Sequence, residues 1–447
     1  MTLRIGAGAG YAGDRLEPAL ELVEVGAVDF LVFECLAERT IAIFRAQRSV
    51  DPSLGFGDSL EARLGSVLSV CADRGTRIVS NLGAANPLGA QRLALEIAAR
   101  AGVDRPISVA AVTGDDVLDR LADLDSVVWE TGEKVCDIMD RVEWAHAYLG
   151  AESLLPSLTA GADVTLGGRI ADPSLFVAPM VAEFGWALDD WVRLGKGTAA
   201  GHLLECSAAV TGGYFADPGR KDVDGLADIG FPIVEVDEVG DAVITKPEGS
   251  GGQVSVRTCK EQILYEIHDP SAYLTPDVTA DFSGITFHPD GPDRVALRGA
   301  SGRRRPDDLK VVLGMHEGFV GEGEMSYAGR GCVQRAEQSA AIMRQRLPRF
   351  GIRPDDIHVE IVGQDALLGP IGRRSASSEV LDVRLRVAAR APDRPTAQRV
   401  GFEVEALSTT GPAGGGGKRS SVKQVVAVYS TTIPRDRLDI RTSIEKV

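Results

Sequence analysis

The sequence has few of the devices that hold metals or bridge chain segments. Its six cysteines, Cys35, Cys71, Cys136, Cys206, Cys259 and Cys332, are scattered and form no C-x-x-C pair. That pattern excludes a zinc ribbon or a disulfide framework and fits a reduced cytosolic protein. The six histidines form no H-x-x-x-H or H-x-H pair, so no local metal motif exists and no metal is expected. Aromatic residues make up only 5% of the chain, too few for a base-stacking platform. Basic residues are outnumbered, and a formal charge of −16 argues against nucleic-acid partners. No run of about eighteen apolar residues occurs, so no membrane partner is expected. The start, MTLRIGAGAG, lacks the basic and apolar stretches of a signal peptide.

At 447 residues the chain is too long for one core. The expected class is α/β: a mostly parallel N-terminal sheet with a mixed β extension at 1–350, then a smaller C-terminal α+β module of ferredoxin-like character at 351–447. Pro348–Asp356 serves as the linker.

What the chain has is glycine, 51 of them, gathered at predicted strand ends. Leu3–Ala7 reads as a strand running into Gly8, Gly10 and Gly13, with Asp14 as the cap of a helix to about Gly26. Val28–Phe33 is a buried strand, with Glu34 and Glu38 just beyond it. Thr76–Asn81 ends in a turn holding Asn81 and Asn86. Ile107–Val112 is a strand, two helical segments follow, and Asp163–Leu166 ends in a turn holding Arg169 and Asp172. Such turns gather at the carboxyl ends of a parallel sheet, where ligands bind. The plainer role for Asn81, Arg169 and Asp172 is helix capping or mutual pairing.

Gly8-x-Gly10-x-x-Gly13, with Glu34 at the right distance, matches a dinucleotide fingerprint. The capping signal falls after the last glycine, however, whereas in that fingerprint the helix starts among the glycines. No cofactor is therefore expected, and a nicotinamide oxidoreductase is the alternative.

Gly201–Gly219, GHLLECSAAVTGGYFADPG, carries the densest chemistry. If Gly201–Val210 is helical, His202, Glu205 and Cys206 share one face. They offer a proton shuttle, a carboxylate and a nucleophile. Thr211, Gly212 and Gly213 follow as a turn whose N–H groups can face a substrate oxygen. The bland alternative is a small-residue helix with an inward Cys and His. Further on, Ile233–Val239, Ala242–Thr245 and Gln253–Thr258 read as strands, and Glu261–Tyr265 as a short helix. His268 shares a face with Tyr265 or is simply solvated. Arg303–Arg305 reads as a solvated run.

In the C-terminal module, His358–Val362, Val380–Ala388 and Val422–Tyr429 read as strands and Pro395–Leu407 as a helix. Thr410–Ser420, TGPAGGGGKRS, is not a Walker A loop, because Pro412 stands where its first glycine belongs and Arg419 where its Ser/Thr belongs. Gly414 and Gly415 offer an anion nest or a plain hairpin. The loop is expected to close over the pocket.

Together, IGAGAGYAGD, VDFLVFECLAERT, SNLGAANP, GGRIADPS, GHLLECSAAVTGGYFADPG, ITKPEGSGG, YEIHDPSAYLTPDV and TGPAGGGG resemble the acyclic terpene utilisation AtuA family, from about Leu3 to Arg435. The resemblance implies a cytosolic bacterial protein in citronellol- and geraniol-type catabolism, where branched acyl chains are handled as CoA thioesters. It supplies no catalytic residue. The expectation is a homo-oligomeric lyase, hydratase or isomerase acting on a small carboxylate or acyl-CoA. The alternatives are the oxidoreductase and a non-catalytic scaffold for pathway enzymes.

Overall fold

A computed structural model of the protein describes residues 1–375 and 380–447. The chain forms two compact units, Met1–Leu313 with Val428–Val447, and Gly314–Ala427. The stretch expected as a linker, Pro348–Asp356, lies inside the second unit, where short 3-10 turns join α9 (Cys332–Arg346) to the next strand.

The first unit begins with β1 (Thr2–Ala9), α1 (Glu17–Glu24), β2 (Phe30–Phe33), α2 (Glu38–Val50) and α3 (Leu60–Arg74). Next come β3 (Arg77–Ser80), α4 (Pro87–Arg100), β4 (Ser108–Thr113), β5 (Val142–Ala147), α5 (Leu155–Thr159) and β6 (Val164–Gly167). Strands β1, β2, β3, β6 and β4 lie side by side in that order, all parallel. The expected gathering of the turns after β1, β3 and β6 on one edge therefore holds.

Two helices, α6 (Ser174–Phe184) and α7 (Trp191–Glu205), complete the other layer. Period-two alternation explains the three layers. Phe30 and Val32 face the core built with α6 and α7, while Leu31 and Phe33 face the core built with α1, α3 and α4. On the β1 side the sheet continues antiparallel through β7 (Ile233–Asp237), β8 (Ala242–Thr245), β12 (Val295–Arg298) and β11 (Thr286–Pro289). On the β4 side it ends in β18 (Arg441–Lys446). Between β8 and β11 lie α8 (Val256–Ile263), β9 (Tyr273–Leu274) and β10 (Thr279–Asp281). In a small sheet β10 pairs with both β9 and β13 (Ser301–Arg303).

The second unit holds most of β14 (Asp308–Ala328), then α9, β15 (Ile357–Val362), α10 (Pro370–Ser375), β16 (Asp382–Ala391), α11 (Arg394–Thr410) and the first part of β17 (Gly416–Pro434). Its strands run in the order β15-β16-β14-β17. Gly415 lies over Met325 and Tyr327, where a Cβ would sit 3.2 Å from the Met325 sulfur. Lys418 pairs with Glu405.

Four local expectations need correction. Gln253–Thr258 is not a strand: Ser255 caps α8, its hydroxyl accepting the Thr258 N–H and its own N–H donating to the Thr258 hydroxyl, and this overrides the alternation. Asp14 does not cap α1. Its carboxylate accepts the Gly10 N–H at 2.9 Å and the Arg15 N–H, and the helix starts at Glu17 without a side-chain cap. The segment before β6 holds β5 and short 3-10 turns, besides the five-residue α5. The helix placed at Gly201–Val210 is the end of α7, which begins at Trp191 under the Asp190 cap and stops at Glu205. Among the described residues, no helix is long and apolar enough to cross a membrane.

Candidate active site

The parallel order brings Gly10, Glu34, Asn81, Asp115 and Arg169 to one edge, because each follows the carboxyl end of its strand. Asn81 links two of these ends. Its amide donates to Glu34 at 2.9 Å and its carbonyl accepts the Cys35 N–H at 2.8 Å. Glu34 also accepts the Leu36 N–H at 2.8 Å. Asn86 is structural: it caps α4 by accepting the Gly89 N–H and donates to the carbonyls of Pro52, Ser53 and Leu54.

Arg169 is fully buried and pairs with Asp172. Its guanidinium lies 4.4 Å from the centre of the Tyr148 ring. Lys310 lies 5.0 Å from the same ring, and its ammonium is 3.2 Å from Glu38. The Tyr148 hydroxyl donates to Glu38. Glu38, Tyr148, Asp172, Tyr273 and Lys310 line a cavity of about 300 Å³, with Trp129, Ala171, Pro173, Leu274, Pro276 and Leu309 as its apolar walls.

Asp172 sits within electrostatic reach of three other carboxylates, Glu34, Glu205 and Glu38, and of Arg169. Like charges so placed cannot all stay ionised. Burial pushes Asp172 well above the usual carboxylate range; Arg169 opposes this, and Glu34, Glu205 and Glu38 add to it. Burial likewise raises Glu34 against Arg169 and the Asn81 hydrogen bond. At Glu38 burial acts the same way but is outweighed. The Tyr148 hydroxyl, Lys310, the helix N–H and Arg169 together hold the carboxyl at about 2. Burial, then Glu38, raises the Tyr148 phenol well above its ordinary range.

The end of α7 comes next. His202 Nδ1 and Glu205 Oε1 are 2.7 Å apart, and both side chains are buried. Among the described residues, His202 Nε2 and Glu205 Oε2 have no hydrogen-bond partner. The His202 ring packs 5.3 Å from that of Tyr273, whose face lines the cavity. The pair therefore lies behind the wall and not on it. The i,i+3 pairing expected from sequence holds, while direct exposure to the cavity does not.

Cys206 closes α7 and makes no bond to His202, which Glu205 occupies. Burial, with Glu205 beside it, pushes the thiol up to about 12, so an activated thiolate is not supported. The Thr211–Gly213 turn offers no oxyanion donors. The N–H groups of Thr211 and Gly213 donate to Ala208 O, and that of Gly212 to Ala209 O. The Thr211 hydroxyl donates to the Ala208 and Gly230 carbonyls. His268 is exposed and lies off the cavity wall. Gly414 and Gly415 belong to the second unit.

The glycine loop after β1 serves packing. Gly8 sits against the Phe33 ring. A Cβ at Gly10 would lie 2.5 Å from the Cys206 carbonyl carbon and 2.8 Å from its oxygen. The backbone at Cys206, just past the end of α7, thus packs closely against this loop.

Tyr148, Lys310, Tyr273, Asp115 and His146 were not foreseen. The alternating stretch VEWAHAY signals the strand that delivers His146 and Tyr148. Nothing local marks Lys310, whose partner Glu38 is far away in sequence.

A family model described as "Acyclic terpene utilisation family protein AtuA" matches residues 3–444. The chain belongs to the AtuA family. Membership suggests a role in acyclic terpene utilisation. Neither the curated proteins nor the solved structures compared with this AtuA-family chain give a match.

Proposed function

We propose that this AtuA-family protein is an acid–base enzyme, a lyase, hydratase or isomerase that needs no redox cofactor. Its substrate is a branched carboxylic acid or acyl thioester of acyclic terpene breakdown. The observation that carries this is the pair Glu38 and Asp172. Both line one cavity, and their surroundings push their proton affinities in opposite directions. Such a split leaves one carboxyl as a proton donor and the other as a fixed charge in one site.

Asp172, whose burial favours the protonated form, donates its proton to a substrate carbonyl or leaving oxygen. Glu38 stays ionised, holding Tyr148 and Lys310 in place. Lys310 offers charge to a developing oxyanion. His202 and Glu205, behind Tyr273, form a second buried pair whose outer atoms have no hydrogen-bond partner among the described residues. A volume of about 300 Å³ is at the small end of ligand cavities. It suits a short branched acyl group, with any carrier left outside. The packing of Gly10 on the end of α7 weighs against the nicotinamide reading. We also read the second unit, with its order β15-β16-β14-β17 and its helices α9 and α11, as ferredoxin-like.

The test is proton exchange. Purified protein is incubated in D2O with branched acyl-CoAs and with the matching free acids, with and without NAD(H), and mass spectrometry follows deuterium at carbons beside the carbonyl. Exchange or turnover that is independent of NAD(H) and falls by about 10²–10⁴ in Asp172→Asn is expected. No exchange and no turnover on either class, or strict dependence on NAD(H), overturns the proposal.

A further inference from the structure

A second buried histidine–carboxylate pair stands at the same sheet edge, and the chemistry above does not use it. His146 Nδ1, on β5, lies 2.7 Å from Asp115 Oδ2, and both side chains are almost fully buried. Ionised Asp115 only accepts hydrogen bonds, so Nδ1 carries the hydrogen. The same Asp115 oxygen accepts the Arg169 peptide N–H at 2.8 Å. A Cβ at Gly168 would collide with that carboxylate, so only glycine lets the turn come so close.

The stretch that carries His146 also grips Arg169 at two other points. The Leu149 N–H donates to the Arg169 carbonyl at 2.9 Å, and the Tyr148 ring lies beneath the guanidinium. Beyond these contacts, the guanidinium bonds to the Ile170 carbonyl and to Asp172.

We propose that His146 and Asp115 form a positioning pair that holds the Arg169 guanidinium against Asp172. His146 fixes the Asp115 oxygen at the point where the Arg169 N–H meets it. Without that donor Asp115 rotates, the Gly168–Arg169 backbone is released, and the guanidinium drifts from its partner. Asp172 is then left facing Glu34, Glu38 and Glu205, with Tyr148 and Tyr273 beside it, and it binds its proton more tightly. The importance of this for catalysis rests on the acid role assigned to Asp172, but the geometry and its test do not.

The test is NMR titration of protein labelled with 13C at the aspartate carboxyl carbons, the Asp172 signal being assigned by its loss in Asp172→Asn. His146→Leu removes the donor and is expected to raise the Asp172 midpoint by about one pH unit or more, the usual effect of losing a close opposite charge. In His146→Asn an amide nitrogen stands the same number of bonds from Cα as Nδ1, so the midpoint should stay in place. A purely structural His146 would not produce this contrast. The proposal is overturned if folded His146→Leu titrates like the parent, or if His146→Asn shifts as far as His146→Leu. Should His146→Leu not fold, Gly168→Ala decides. It displaces the Asp115 carboxylate from the turn, and an unchanged Asp172 midpoint there overturns the proposal. Because no turnover is measured, failure of the enzymatic reading leaves this result standing.

Discussion

Glu34→Gln isolates the buried charge at the sheet edge. Glu34 is almost inaccessible, and its Oε1 accepts the Asn81 amide at 2.9 Å and the Leu36 N–H at 2.8 Å. Glutamine keeps a carbonyl oxygen for both bonds and copies the shape of the protonated acid. Burial, opposed by Arg169, places the folded-state proton affinity of Glu34 above its unfolded value. A raised group contributes stability that is complete below the unfolded pKa, near 4.3, and is lost as pH rises through the folded pKa. Between those limits the parent loses about 1.4 kcal/mol per pH unit relative to a side chain that does not titrate. Glu34→Gln should therefore match the parent below about pH 4.3 and gain on it as pH rises from there toward the folded pKa.

Urea unfolding followed by tryptophan fluorescence is the assay. The four tryptophans, Trp129, Trp144, Trp186 and Trp191, all lie in the first unit and report its transition alone. Glu34→Ala is the contrast. It leaves the Asn81 amide and the Leu36 N–H without partners, at about 1–3 kcal/mol each. If the advantage of Glu34→Gln does not grow with pH, Glu34 is ionised in the folded protein and the argument about crowded carboxylates fails.

Other expectations follow from the same geometry. Gly10→Ala should cost about 1–3 kcal/mol by forcing a methyl onto the Cys206 backbone, seen as an earlier fluorescence transition. The parent should show no NAD(H) binding by calorimetry, and a tight complex would restore the dinucleotide reading. Cys206→Ser should retain turnover, because a thiol held at about 12 is not a nucleophile at neutrality. Loss of activity with intact folding would reinstate it. His202→Ala should melt earlier, because it leaves the buried Glu205 carboxylate without its partner, while Glu205→Gln, which keeps an acceptor for the ring, should melt close to the parent. If His202→Ala melts like the parent, the pair does not hold the wall behind Tyr273.

The features legible in the sequence were local ones. Short apolar strands ending in polar glycine turns gave the parallel edge, since strand, turn and helix follow one another within a few residues. His202 and Glu205 were legible because three residues on a helix bring side chains together. The missed contacts join distant segments. Tyr148 meets Glu38 across 110 positions and Lys310 meets it across 272, and no local pattern encodes either. The glycine loop misled for a related reason. Gly8-x-Gly10-x-x-Gly13 records a close approach without saying to what, and here the answer is the backbone at Cys206. At Gln253–Thr258, alternation and the Ser255 cap gave opposing signals, and the cap prevailed.

The position of β18 has a consequence for biogenesis. It pairs with β4 from Arg441 to Lys446 and covers that side of the large sheet, yet it is made after the whole of Gly314–Ala427. During synthesis the second unit emerges as an uninterrupted segment, free to fold first. The first unit must wait roughly 10 s at ordinary elongation rates, with β4 open along its edge, before its closing strand is made. Until then the nascent protein presents an unpaired apolar strand, the kind of edge that recruits a neighbouring chain. Premature stops before Arg441 should therefore yield aggregates and not a smaller folded protein.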